Sequence, residues 1–256
     1  MVLSRYPNLS EIKFETRFWG ELTSKRRQGG QHDENSLEVT ISLSTLSKPS
    51  LENLAQTSAR QLEEVAPLIS DILKISKEQV LGVGEFKFVD KSLIVELAPE
   101  VDLASLKIEP RPLVRFLPLA EGQELIRQTA FSPDMTIITQ MQPDASSSGK
   151  LRTNSRVFCI DMEDPVVSHP FSSQVHKLMI ETGSAHAFLT GYYLLTPASE
   201  RLPAHVTDGC EVKDVALDAR QLSERGGKLY CELKEGGMVD ISGTAADWGT
   251  GTLTSW

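Results

Sequence analysis

Two stretches contain residue types and spacings suited to chemistry. Residues 163–166 read Glu163-Asp164-Pro165-Val166, and residues 182–186 read Thr182-Gly183-Ser184-Ala185-His186. The second opens an apolar run, 184–195, that reads as a helix entered through a Gly-Ser step. Gly183 has no side chain to hold a ligand away, and Ser184 stands where the first backbone N–H groups of a helix lack acceptors. Together with the helix dipole, those groups make an anion site suited to a substrate carboxylate. The same three residues, Thr182-Gly183-Ser184, also serve as an ordinary helix start. If the helix begins earlier, within VHKLMIETGSAHAFL, no N-terminal anion site exists there.

Other chemistry is sparsely represented. Cys159, Cys210 and Cys231 are odd in number and widely spaced, with no CxxC pair, so the sequence points to neither a zinc site nor a disulfide framework. The five histidines form no HExxH-type spacing; His169 and His176 share a face only if their segment is helical. These spacings give no expectation of a metal site. The formal charge of −9 argues against a nucleic-acid partner, and Lys25-Arg26-Arg27, beside Gly29-Gly30, reads as a solvated hairpin tip. No apolar run is long enough for a membrane span, and residues 1–14 lack signal-peptide character. The expected location is the cytoplasm.

These groups need a scaffold. Composition is that of a globular chain, with 40% hydrophobic and 24% charged residues. Alternation over 12–22 and 37–43, around the polar segment 24–35, predicts a β-hairpin with a long tip. Ser50 reads as the N-cap of a helix carrying Leu51, Leu54, Ala55, Ala59, Leu62, Val65 and Ala66 on one face. Pro67 should end or kink it, with a second short helix over 68–73. Strands are predicted at 80–83, 86–89, 92–97, 113–117, 135–140 and 156–160, a helical turn at 103–106 and a helix at 121–130. Further short strands follow at 205–206, 211–217, 229–233 and 238–241. Many short strands around one or two apolar helices give an α+β fold with a curved sheet.

A downstream segment sharpens this reading. Residues 219–245, ARQLSERGGKLYCELKEGGMVDISGTA, contain Gln221, Ser223, Arg225, Gly226 and Gly227 in a QxSxRGG pattern. With TGSAH, they resemble the C-terminal half of the phenazine-biosynthesis PhzF-like family, whose pattern is EDPVTGSAH, an apolar helix, then QxSxRGG, two strands and a Gly. The segments SRVFCIDMEDPV, LKISKEQVLGVGEF, SLIVELAPEVDLASL and IKFETRFWGEL extend the resemblance over most of the chain, more weakly.

The resemblance implies a diaminopimelate-epimerase-like fold, in which two similar halves each wrap a sheet around a central helix and the substrate lies between them. It implies an isomerase or epimerase, in a setting such as secondary metabolism, that moves a proton on a small carboxylate without a cofactor. Asp164 would position the substrate, and Thr182, Gly183, Ser184, His186, Gln221 and Arg225 would bind it.

Two departures accompany it. Fifteen residues, 167–181, interrupt EDPV and TGSAH; removing them restores EDPVTGSAH. Val167-Ser168 can be encoded GTG-AGT and Glu181 GAG, the boundaries of an intron, so a retained intron is the hypothesis for this insertion. The family's first domain also begins well upstream of this chain and holds the catalytic acid and a Gly-His motif. Glu11, within Asn8-Leu9-Ser10-Glu11, stands too close to the following strand to replace that acid.

Residues 1–48 are therefore expected to be a remnant of the first domain, incomplete, and 49–256 a second domain with one complete barrel-like sheet around a central helix. The remnant's open edge would invite a partner, and a homodimer is one such assembly. Because of the departures, a non-catalytic remnant that binds a small carboxylate or a partner chain is the alternative to an active isomerase.

Overall fold

The computed structural model describes residues 8–16, 20–26, 37–44, 54–56, 59–87, 91–106, 135–159, 183–222 and 226–245. Among these are two α-helices and eleven strands, and the strands form one mixed sheet. The strands are β1 (Glu11–Thr16), β2 (Gly20–Arg26), β3 (Leu37–Ser44), β4 (Leu54–Gln56), β5 (Val80–Lys87), β6 (Lys91–Leu97), β7 (Met135–Met141), β8 (Lys150–Cys159), β9 (Ala216–Gln221), β10 (Gly227–Lys234) and β11 (Met238–Ala245). The helices are α1 (Ala59–Leu73) and α2 (Gly183–Leu195). In the sheet the order is β1-β2-β3-β11-β10-β9-β8-β7-β6-β5-β4. Two neighbouring pairs, β6–β7 and β8–β9, are parallel and the rest antiparallel.

Helix α2 is apolar on every side. Ala185, Ala187, Phe188, Leu189, Tyr192, Tyr193 and Leu194 are all buried, and so are its polar residues His186 and Thr190. A helix with no polar face has to be surrounded. It packs against Ile94 of β6, Ile137 of β7, Leu151 and Val157 of β8, Leu217 of β9, Cys231 of β10, and Val239 and Ile241 of β11. One helix can touch the same face of six successive strands only if the sheet curves around it. The opposite face of β5–β8 meets α1, through Ala66, Ile69 and Leu73 at helical spacing against Val83, Leu93, Val95, Ile138 and Phe158. Strand alternation sorts the two sides: Ile94 and Glu96 face α2, whereas Leu93, Val95 and Leu97 face α1.

Several expectations are corrected. Residues 12–22 are two strands, since Thr16 of β1 pairs with Gly20 of β2. Lys25 and Arg26 belong to β2 and are no hairpin tip; Lys25 pairs with Glu11 at 3.6 Å on the exposed face. Within the helix expected from Ser50, Leu54–Gln56 is instead strand β4, paired with β5, and the described helix begins at Ala59. Pro67 lies inside α1 without ending it, and Ser70 Oγ donates to the Pro67 carbonyl at 2.8 Å. The helix stops instead at Lys74, in the left-handed region (φ 57°), where the Ile75 N–H returns to the Ser70 carbonyl. Residues 204–206 and 212–214 are 3-10 turns where strand was expected. The expectations for 113–117, 121–130 and 167–181 lie outside the described residues.

Strand β3 pairs with β11 from Ser44↔Met238 to Leu37↔Ala245, so the β1–β3 ribbon continues the sheet. Its outermost described strand, β1, leaves Phe14 45% exposed, and Ile41 on β3 is 41% exposed.

Inside the curved sheet, Glu96 is fully buried. The Tyr192 hydroxyl donates to its Oε2 at 2.8 Å, and Arg201, in the turn after α2, forms an ion pair with the same oxygen. Burial and then Glu96 push the Tyr192 hydroxyl well above the ordinary tyrosine pKa. Burial works to lower the Arg201 pKa, but Glu96 outweighs it and the guanidinium is held charged. Gly82 of β5 makes room for this cluster. A Cβ there would overlap the Tyr192 hydroxyl and stand 2.9 Å from Arg201 Nη2. Gly82→Ala is expected to destabilise the protein by roughly 1–3 kcal/mol through this crowding. Chemical denaturation of Gly82→Ala, Tyr192→Phe and the double variant should show that removing the hydroxyl recovers part of the loss; strict additivity would refute the contact.

Candidate functional site

The described part of the site is built at one end of α2. The Tyr193 hydroxyl meets Thr139 Oγ1 of β7 at 3.1 Å, and Thr190 makes a hydrogen-bond contact with the Cys231 thiol of β10. At about 100° per residue, His186 lies about 20° from Tyr193 and about 40° from Thr190, between their two directions. Strands β8 and β9 lie between β7 and β10 in the sheet, so His186 faces them.

The axial direction follows from the other end. Helix α2 and the turn 197–201 after it pack beside Val206, Val212 and Val215, which lead into the start of β9. The N-terminal end of α2, with Gly183 and His186, therefore points toward the far ends of β8 and β9. Gln221 is the last residue of β9. It is 3% exposed, pairs with Ser155 of β8 and Gly227 of β10, and projects from the same face as Leu217 and Ala219, toward α2. The Leu222 N–H closes onto the Ser155 carbonyl at 2.7 Å and fixes where β9 ends. Gly226 has φ +71°, which L-side chains adopt at a cost, and this accounts for the first glycine of the RGG sequence.

Of the predicted residues, Gly183, His186 and Gln221 are thus placed at one end of one enclosed face. Ser184 belongs to the first turn of α2. Asp164, Thr182 and Arg225 lie outside the described residues, as do His169 and His176. Among the described residues, no three His, Cys, Asp or Glu side chains gather as metal ligands, and no helix is long and apolar enough to cross a membrane.

Motif reading missed a row of polar side chains on the face toward α2. The cross-strand register runs Glu96↔Thr139, Thr139↔Ser155 and Ser155↔Gln221. All four are at most 3% exposed. Glu96 carried a signal, since SLIVEL puts a carboxylate in phase with Ile94. Nothing in the sequence aligns the four strands.

No sequence-family model matches the chain, and no curated protein matches it. Solved structures do. A phenazine biosynthesis PhzF-family protein from Enterococcus faecalis superposes with a TM-score of 0.52 over 97% of this chain and 67% of its own, at 18% identity. A phenazine biosynthesis PhzC/PhzF protein from Clostridium difficile strain 630 gives 0.54 over 99% of this chain and 70% of its own, at 20% identity. The chain has the fold of these PhzF-family proteins, in agreement with the resemblance carried by TGSAH and QxSxRGG.

Cys231, on the inner wall, is kept unreactive for a physical reason. Cys231 is buried, and that burial pushes its thiol up to about 12. A thiol raised in this way stays protonated at every pH below that value, and only the thiolate attacks. At pH 8, a maleimide should label half-buried Cys210 in the native protein and Cys231 only after denaturation, as read by peptide mass spectrometry. Native labelling of Cys231 would contradict the packing around α2.

Proposed function

We propose that this chain is a PhzF-like isomerase or epimerase that moves a proton on a small carboxylate-bearing metabolite without a cofactor, in a pathway such as secondary metabolism. The observation that supports the reading is that one residue from each of two separate motifs, His186 in α2 and Gln221 at the end of β9, thirty-five positions apart in sequence, is buried in the fold. In this reading Thr182, Gly183 and Ser184 present backbone N–H groups to the carboxylate, and Gln221 and Arg225 hold the rest of the ligand. Asp164 positions the reacting carbon. A general acid–base step requires a group within hydrogen-bond reach of that carbon.

The architecture proposed with it is an incomplete first half, 1–48, joined to a barrel-like second domain, 49–256, in which 167–181 is an insertion. The assembly proposed is a homodimer, and the location the cytoplasm. The structural neighbours extend beyond this chain, which covers 67% and 70% of them. The alternative reading is that the chain binds a small carboxylate and does not turn it over.

Two measurements separate these. Nuclear magnetic resonance titration with small carboxylates should shift resonances of Gly183 and His186, and matched amines should not. Gln221→Ala should weaken that binding about tenfold, the worth of about one hydrogen bond. Incubating a bound carboxylate in D2O should then exchange its α-hydrogen if the chain is an isomerase. Binding without exchange supports the second reading, and no carboxylate binding overturns both.

A further inference from the structure

Among the described residues, β1 is an edge of the sheet, with β2 as its one neighbouring strand. The Arg26 N–H donates to the Ser10 carbonyl at 2.9 Å, and these two residues continue the β1–β2 register. Antiparallel pairing alternates, so Ile12, Phe14 and Thr16 also turn their backbone groups to β2. Glu11, Lys13 and Glu15 turn theirs to the outer edge, and such a row is a template for another strand. The side chains are sorted as well. Ile12 and Phe14 share the face of Ile41 and Ile241, while Lys13 and Glu15 are exposed on the opposite face.

The order of residues in β1, Glu11-Ile12-Lys13-Phe14-Glu15-Thr16, decides what fits that edge. A second β1, joined antiparallel about a two-fold axis, must set outward-turned residues opposite one another. Setting Lys13 opposite its own copy also sets Glu11 opposite Glu15, and setting Glu15 opposite its own copy again opposes like charges. Setting Glu11 opposite Lys13 leaves only residues 11–13 of each β1 facing the other. Setting Lys13 opposite Glu15 makes an opposite-charge contact on each side of the axis and pairs residues 12–16 throughout. Phe14 then meets its own copy on the axis, in a non-hydrogen-bonded pair, where facing side chains come closest. At 45%, Phe14 is the most exposed large apolar side chain among the described residues.

We propose that β1 binds β1 of a second copy of this chain, antiparallel and centred on Phe14, so that two sheets join into one. The charge order of the strand is self-complementary in this register and no other of comparable length, which is what an isologous contact requires. The proposal gives the homodimer a surface and does not depend on the ligand reading. A pairing this short buries little area, so the dimer is weak and reversible.

Sedimentation velocity of the full chain, from about 1 μM to about 500 μM, should show a concentration-dependent monomer–dimer equilibrium. Lys13→Glu and Glu15→Lys each set like charges opposite one another, and each alone should weaken self-association at least about tenfold. An equimolar mixture of the two variants should dimerise again, because every charge across the axis then meets its opposite; misfolded chains would not recover in this way. Phe14→Cys should crosslink to its own copy on air oxidation, read as a disulfide-linked peptide pair by mass spectrometry. Lys25→Cys, exposed one strand further in on each side, should not. A native chain that stays monomeric at the highest concentration, a dimer that both charge reversals leave intact, a mixture that stays monomeric, or the absence of the Phe14→Cys crosslink overturns the proposal. None of these outcomes touches the carboxylate reading.

Discussion

A helix that is apolar on all sides cannot be left at a surface, and the rest of this molecule is arranged around that constraint. Helix α2 has no flank to give to water, so six strands must turn the same face to it. Curvature follows, and with it an enclosed interior. Every polar group placed on that inner face is then removed from solvent and has to find a partner inside. The Glu96 carboxylate does so through Tyr192 and Arg201, a buried pair whose benefit depends on geometry more than on Coulomb attraction.

The same constraint places the site. The helix enters the enclosure at Gly183, and that end faces the ends of β8 and β9. Hydrogen-bond register does the remaining work. Parallel pairing of β8 with β9 brings Ser155 beside Gln221, and antiparallel pairing of β9 with β10 brings Gln221 to Gly227. A shift of one residue in either pair would turn Gln221 or Ser155 to the outer face. The outer face is already committed there: Arg152 of β8 binds Asp218 of β9 through Nε at 2.9 Å. Register, inner face and outer ion pair are mutually consistent, which is what a specified fold requires.

The β1–β3 ribbon has a different character. It continues the sheet past β11, beyond the reach of most of α2, and there large apolar side chains such as Phe14 become exposed. Among the described residues, α2 covers the inner face of β6–β11 and reaches the ribbon only at β3.

By itself the sequence determined the α+β class, a helix at 184–195, short strands at 229–233 and 238–241, and the two motifs, because each depends on local periodicity or local spacing. It misread Leu54–Gln56 as helix, since Leu54 and Ala55 fit a helical stripe as well as they fit a strand. Only β5, far along the chain, offers the backbone hydrogen bonds that make them β4. It gave Pro67 as a break, where the packing of Ala66, Ile69 and Leu73 against the sheet outweighs the lost hydrogen bond. Gln221 was legible as part of a motif, but Ser155 and Glu96 were not legible as its neighbours. That placement belongs to the tertiary structure alone, because strand register is set by contacts between segments distant in sequence, as in Glu96↔Thr139 and Ser155↔Gln221, and no local pattern encodes it.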